Sequence, residues 1–194
     1  MLVPGVVLAT EEPPYKVVST YEEFEVREYQ AIIIAQTVVN EDFENAGSTG
    51  FRILVKYISG DNQSRTELSM TAPVGQVEQS VSRKIEMTAP VTLLKSNSGH
   101  AVQFTMPKDY TLKNLPVPND ARIEILEIPS RKVAVYKYSG SWSESRYQGK
   151  LALFRAALTK RSVAVVGEPV LARFNSPFMI WFLRRNEIWL DLDQ

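Results

Sequence analysis

The chain has 194 residues, 44% of them hydrophobic, which is ample for a packed core in one domain or two small ones. Lys plus Arg (22) balance Asp plus Glu (22), so the net charge gives no footprint for nucleic acid or an anionic membrane, and a charged ligand has to be met by a local patch. With no Cys there is no disulfide, no thiolate nucleophile and no Cys ligand for iron, and the single His removes every multi-histidine metal site.

Met1 to Ala9 is a short apolar run broken by Pro4 and Gly5 with no basic residue before it. It reads either as the remnant of a signal peptide, implying a periplasmic or secreted protein, or as a plain N-terminal arm of a cytoplasmic one. From Glu23 to Tyr29, Phe24 and Val26 alternate with charged residues, the period of a half-buried strand, and Ala31 to Val39 is a second, β-branched strand. Ser48 is the expected N-cap of a helix of about three turns, with Phe51, Leu54, Val55 and Ile58 on one apolar stripe and Gly60 as its stop. Gln76 to Lys84 is a polar link, Asn97-Ser98-Gly99 is a turn, Ala101 to Met106 is a strand, and Lys108 to Asp120, with Pro116 and Pro118, is an irregular crossover.

The same unit then recurs at a constant shift of 99 positions. Phe24 meets Ile123, Glu25 meets Glu124, Val26 meets Ile125, Glu28 meets Glu127, Ala35 meets Ala134, Phe43 meets Trp142 and Leu54 meets Leu153. In this second copy Arg122 to Glu127 and Lys132 to Ser139 are strands, Ser141-x-x-Glu144 is a capping box, Tyr147, Leu151, Phe154 and Leu158 form the helical stripe, and Val170 to Phe174 is a closing strand. Residues 1–14 are an arm, and 15–194 form one domain of two halves, about 15–94 and 101–194. One-faced helices and alternating strands are satisfied together by laying both helices on one antiparallel sheet.

A shorter near-repeat sits between the halves: Ser69-Met70-Thr71-Ala72-Pro73-Val74 and Glu86-Met87-Thr88-Ala89-Pro90-Val91. With Phe104-Thr105-Met106-Pro107, Leu115-Pro116-Val117-Pro118 and Arg184-Arg185-Asn186-Glu187-Ile188-Trp189, it resembles the signature of the SOUL family of haem-binding proteins, in the doubled form of bacterial and plant-type members. The resemblance runs from about Tyr15 to the end. It implies an α+β fold: a distorted antiparallel β-barrel or sheet of about eight strands, flanked by two helices, with a pseudo-two-fold repeat and related to the gyrase-inhibitor-like effector-binding fold. It also implies non-covalent binding of haem or another porphyrin by a carrier or buffer that does no turnover.

Arg52 and Lys56 are four apart on the first helix, beside an apolar stripe that includes Val55. A porphyrin needs an apolar face for its ring and cations for its propionates, and these residues provide both; an ordinary solvated helix face is the plainer reading. The resemblance places the ring against this helix and the loop before the last strand, here Ser176 to Leu183, with Met179 and Trp181 as ring contacts. Six consecutive large apolar residues, Phe178 to Leu183, make that loop a pocket lip, an oligomer or membrane contact, or a buried segment. The second basic residue that relatives carry there is replaced by neutral Met179 and its neighbours.

Axial ligation has little support. Glu28 stands where some relatives place a His, His100 lies beside a turn and is expected in solvent, and Tyr29 is a speculative ligand. Met70 and Met87 are read as core fillers rather than iron ligands. Glu187 supports an alternative from another class, an effector-binding or protein-interaction module that takes a cationic amphiphile, against the plainer reading of a salt bridge with Arg184 or Arg185. No phosphate loop, nucleophile elbow or spaced acidic cluster argues for an enzyme.

Overall fold

The computed structural model describes residues 10–64, 82–176 and 178–193. Two strands in each half precede its helix and two follow it. The first half gives β2 (Glu25–Tyr29), β3 (Ile32–Val39), α1 (Phe43–Ile58), β5 (Val91–Ser96) and β6 (Gly99–Thr105). The second gives β8 (Ile123–Ile128), β9 (Arg131–Tyr138), α2 (Glu144–Lys160), β10 (Val165–Arg173) and β11 (Asn186–Leu192). An N-terminal strand, β1 (Tyr15–Thr20), adds to the edge, and a two-residue ribbon pairs β4 (Asn62–Gln63) with β7 (Val117–Pro118).

The nine-stranded sheet runs β1-β2-β9-β11-β10-β5-β6-β3-β8, every pair antiparallel. It is an open sheet, since β1 and β8 are its two edges. The repeat is visible in the register: Glu25 faces Val135, and Gln36 faces Glu124, the same pair moved by 99 in each partner. The seam between the halves is β5 against β10, and each half sends its first strand to the other's block, β2 onto β9 and β8 onto β3.

Side chains alternate along the strands, so one face carries Val26, Ala35, Leu93, Val102, Phe104, Ala134, Leu171, Ile188 and Leu190, and both helices pack onto it. The opposite face holds a smaller cluster of Tyr29, Val133, Val135, Val170, Ala172 and Trp189. Helix α1 lies close on β3 and β6; a Cβ on Gly50 would come within 2.4 Å of the Val102 side chain, so only glycine lets the helix sit this low.

Several expectations are corrected. Helix α1 starts six residues before the expected first turn: Asp42 is the N-cap and accepts a hydrogen bond from the Asn45 amide, while Ser48 lies inside the helix with its hydroxyl donating to Asn45 O. Helix α2 is preceded by Ser143, which makes no side-chain cap bond, so the capping box from Ser141 to Glu144 does not form. Strand β10 begins at Val165 rather than Val170. Met87 does not fill the core; it is exposed, and Ile85, Thr88 and Ala89 supply the buried positions of that segment. The first copy of the motif, Ser69 to Val74, lies outside the described residues.

Candidate functional site

Where β10 ends, Arg173 pairs in register with Val91 at the start of β5, on the helix face of the seam. Above this pair lie Glu44, Gly47, Ser48, Phe51 and Arg52, spaced so that one side of α1 faces down onto it. Trp142, from the connection between β9 and α2, and Asn175 complete a cavity of about 320 Å³. Phe51 is held edge-on against Phe104, with centroids 5.4 Å apart. Trp142 is fixed by its indole N–H, which donates to Asn186 Oδ1 at 2.8 Å, while the Asn186 amide donates to Gly140 O.

Arg173 is the unusual member of this site. Its guanidinium lies 4.9 Å from the Trp142 ring centroid and 5.9 Å from that of Phe43. A Cβ on Gly47 would be 2.6 Å from its Nη1, so the bare backbone of α1 makes room for it. Its Nε and Nη2 are buried without a hydrogen-bond partner. Burial first, then the neighbouring charge of Arg184, holds its pKa down to about 10, against a partial opposing effect of Tyr138. At neutral pH it remains a cation, so the cavity wall carries a buried positive charge with unused donors. Arg52 is exposed at the rim, and its Nη2 donates to Thr49 Oγ1, which in turn donates to Glu41.

The other candidates are placed elsewhere. Val55 and Lys56 lie one turn further along α1, half-buried and exposed respectively, and do not line this cavity. Met179 and Trp181 belong to a loop with a 3-10 turn at Trp181–Leu183, and they do not line it either. The loop is nevertheless tied to the rim: Arg184 lies 4.3 Å from the Trp142 ring centroid and its Nε donates to Met179 O. All six residues Phe178 to Leu183 are exposed, which overturns the buried-segment reading.

Neither candidate iron ligand is here. His100 is half-buried rather than in solvent, its Nδ1 is 2.9 Å from Glu41 O, and it lines a different cavity of about 380 Å³ with Phe43, Tyr147 and Arg155. That second cavity is the repeat-related counterpart of the first, since Phe43 is the mate of Trp142. There Tyr147 and Leu151 stand at the mates of Ser48 and Arg52, and Tyr147 stacks on Phe43 at 4.9 Å. Tyr29 is buried on the far face of the sheet, where its hydroxyl accepts from Arg27 Nη1. Among the described residues no group of three His, Asp or Glu is placed to hold a metal ion.

Glu187 is fully buried and fully engaged. Arg27 donates to both of its oxygens, Arg185 Nε and Nη2 donate to Oε1, and the Trp189 indole donates to Oε2. A carboxylate offers about four lone-pair sites, and these five donors saturate it, so nothing is left to hold a cationic ligand. The salt bridge with Arg185 forms as the plainer reading had it, but the principal partner is Arg27, a residue the strand pattern placed among surface charges. Arg27 is itself completely buried, with its pKa raised by Glu187 and Tyr29 against the opposing effect of burial.

The largest of the described cavities, about 620 Å³, lies between the N-terminal arm and Thr105 to Lys113. It sets Glu11, Glu12 and Glu127 against Lys108 and Lys113, Glu11 is bonded to the Lys108 amide, and Tyr110 is its one aromatic residue, so it has no counterpart of the buried guanidinium of the smaller cavity.

Comparison with known proteins bears on this geometry. The family model described as SOUL heme-binding protein matches residues 10–191. The chain belongs to the SOUL haem-binding family. Heme-binding protein 2 of Homo sapiens is 30% identical over 170 residues, covering 86% of this chain and 77% of that one. Heme-binding protein 1 of Xenopus laevis is 27% identical over 167 residues, covering 86% and 82%. Among solved structures, the C-terminal domain of EcmrR superposes with a TM-score of 0.59 at 12% identity, covering 93% of this chain and 98% of that one. A hydrolase from Listeria innocua gives 0.54 at 9% identity, covering 91% and 94%. These two likenesses concern the SOUL fold alone.

Two residues that line this SOUL chain's cavity, Arg173 and Trp142, were not singled out as binding residues from the sequence. Trp142 figured only as the repeat mate of Phe43. A signal for Arg173 existed: it is the one charge in the strand Val170-Leu171-Ala172-Arg173-Phe174.

Proposed function

We propose that this SOUL protein carries or buffers a tetrapyrrole, haem or a metal-free porphyrin, non-covalently and without turnover. One observation supports this most: a buried guanidinium, Arg173, with two unused donor nitrogens in the wall of an apolar cavity. A propionate carboxylate is the complement of such a group, and Arg52 at the rim is placed for a second one. Phe51, Val91 and Trp142 offer apolar and aromatic surface to the ring. At about 320 Å³ the cavity is at the lower end of ligand pockets, which run from about 300 to 1,000 Å³, so it would grip one edge of a macrocycle and leave the rest exposed. Lys56, Val55, Met179 and Trp181 would meet only that exposed part.

The lining contains no His, Tyr, Met or Cys, so the residues present suit the ring and its carboxylates and supply no ligand to iron. Any iron chemistry would therefore be supplied by the bound haem itself. The test is a side-by-side titration with haem, protoporphyrin and its dimethyl ester, with albumin as the nonspecific control. Haem and protoporphyrin should both saturate at one per chain with similar affinity, and the ester should bind at least tenfold more weakly. Saturation by neither acid defeats the reading, and equal binding of the ester removes Arg52 and Arg173 from it.

A further inference from the structure

Phe178, Met179, Ile180, Trp181, Phe182 and Leu183 are 40–96% exposed and consecutive, with no charge among them. Taking about 200 Å² for a large side chain, they show an apolar surface on the order of 700 Å². The largest patch on an ordinary monomer is about 300–600 Å². A stable protein interface uses about 800 Å² and 20–30 residues on each partner. Here the surface comes from one protruding loop, so it has the area of an unusual patch and the shape of a wedge.

Three features of the loop fit lipid. Part of its backbone is bonded within the loop: the Met179 amide donates to Ser176 O, Leu183 to Ile180 O, and Arg184 to Trp181 O, so a tip surrounded by hydrocarbon strands none of these three amides. Its aromatic residues, Phe178, Trp181 and Phe182, are of the kind that settles at a membrane interface. Its neck carries Arg184 and Arg185, but Arg185 is engaged by Glu12 and Glu187, and Arg184 is stacked on Trp142, so the attraction is apolar rather than ionic.

We propose that this loop dips into the outer part of a lipid bilayer, with uncharged zwitterionic lipid sufficient to bind it. Since the loop's neck meets the cavity rim through Arg184 and Trp142, insertion brings the cavity mouth to the lipid surface, where a flat apolar ring partitions. That delivery role rests on the tetrapyrrole reading; the insertion does not.

The experiment is flotation of ligand-free protein with phosphatidylcholine vesicles, with and without brominated acyl chains. Of the three Trp residues, Trp189 is buried, Trp142 is pinned at the cavity, and Trp181 is on the loop. The protein should float, its emission should shift to the blue, and brominated lipid should quench a component that Trp181→Phe removes. The double variant Phe178→Ser/Phe182→Ser should partition at least tenfold more weakly while binding protoporphyrin in solution as before. Wild-type protein that stays with the aqueous fraction, or a double variant that floats equally well, overturns the proposal. So does a wild-type dimer, by sedimentation equilibrium, that the double variant abolishes, since a second copy would then be what covers the loop. Because the flotation itself contains no porphyrin, failure to float leaves the cavity reading standing, and failed titrations leave this one standing.

Discussion

Replacing Arg173 with Met should make the ligand-free protein more stable, although it removes a large side chain from the helix face of the sheet. The usual arginine pKa of 12.5 falls to about 10 here, chiefly through burial, so over the whole range below about 10 the folded state binds this proton less well than the unfolded chain does. The sign is therefore a penalty, on the order of 3 kcal/mol at neutral pH, which lessens only as pH rises from about 10 towards 12.5. Against it stand the contacts with Trp142 and Phe43, worth about 0.5–1 kcal/mol each. Met keeps the length and the apolar stem, so the net gain should be about 1–2 kcal/mol, or roughly 2–8 °C in melting temperature for a chain of this size. Thermal melts without ligand measure this directly, and protoporphyrin should then raise the melting temperature of the wild type but not of Arg173→Met. A variant that melts lower than wild type in the absence of ligand would refute the reasoning, because it would show that the charge is compensated in the empty protein.

Gly47→Ala places a methyl group 2.6 Å from Arg173 Nη1, and the flexible guanidinium has to move; a melting temperature changed by no more than a few degrees with at least fivefold weaker porphyrin binding is expected, read by the same melts and titration. Glu187→Gln leaves Arg27 without its buried counter-charge and should cost about 3 kcal/mol in urea denaturation, whereas Arg27→Met/Glu187→Leu should cost less than the sum of its single variants. Burial pushes the Tyr138 and Tyr147 hydroxyls up to about 12, so their contribution to stability is complete below pH 10 and is lost as pH rises towards 12. Absorbance at 295 nm should accordingly show three tyrosines ionising late, these two and then Tyr29, whose hydroxyl burial raises further still, together with the loss of structure by circular dichroism.

The architecture was legible because it is periodic. The shift of 99 survives as pairing register, and the stripe of Tyr147, Leu151, Phe154 and Leu158 is buried in α2 as its spacing required. The start of α1 was hidden because Gly47 and Gly50 resemble helix breakers, whereas each is demanded by close packing, one beneath Arg173 and the other above Val102. The candidate site was only half legible. Arg52 reaches the cavity rim as its place on the helix suggested, but helical spacing cannot report a residue 121 positions away, and the alternation that marks β2 as half-buried cannot tell a surface charge such as Glu28 from a buried one such as Arg27. Both hidden arginines became visible only when tertiary pairing brought partners from the other half, or failed to bring any.

The exchange of first strands between the halves also governs the order in which the chain can be completed. Strand β2 leaves the ribosome early, yet its sheet neighbour β9 is made about a hundred residues later, which at about 5–20 residues per second is a wait of roughly 5–20 s. During that wait β2 has a free edge open to mispairing with other chains. Glu25, Arg27 and Glu28 put three charges in its five residues, an arrangement that discourages such pairing. The guanidinium that later disappears into the finished sheet against Glu187 thus spends the interval before β9 arrives as a guard on an unprotected strand.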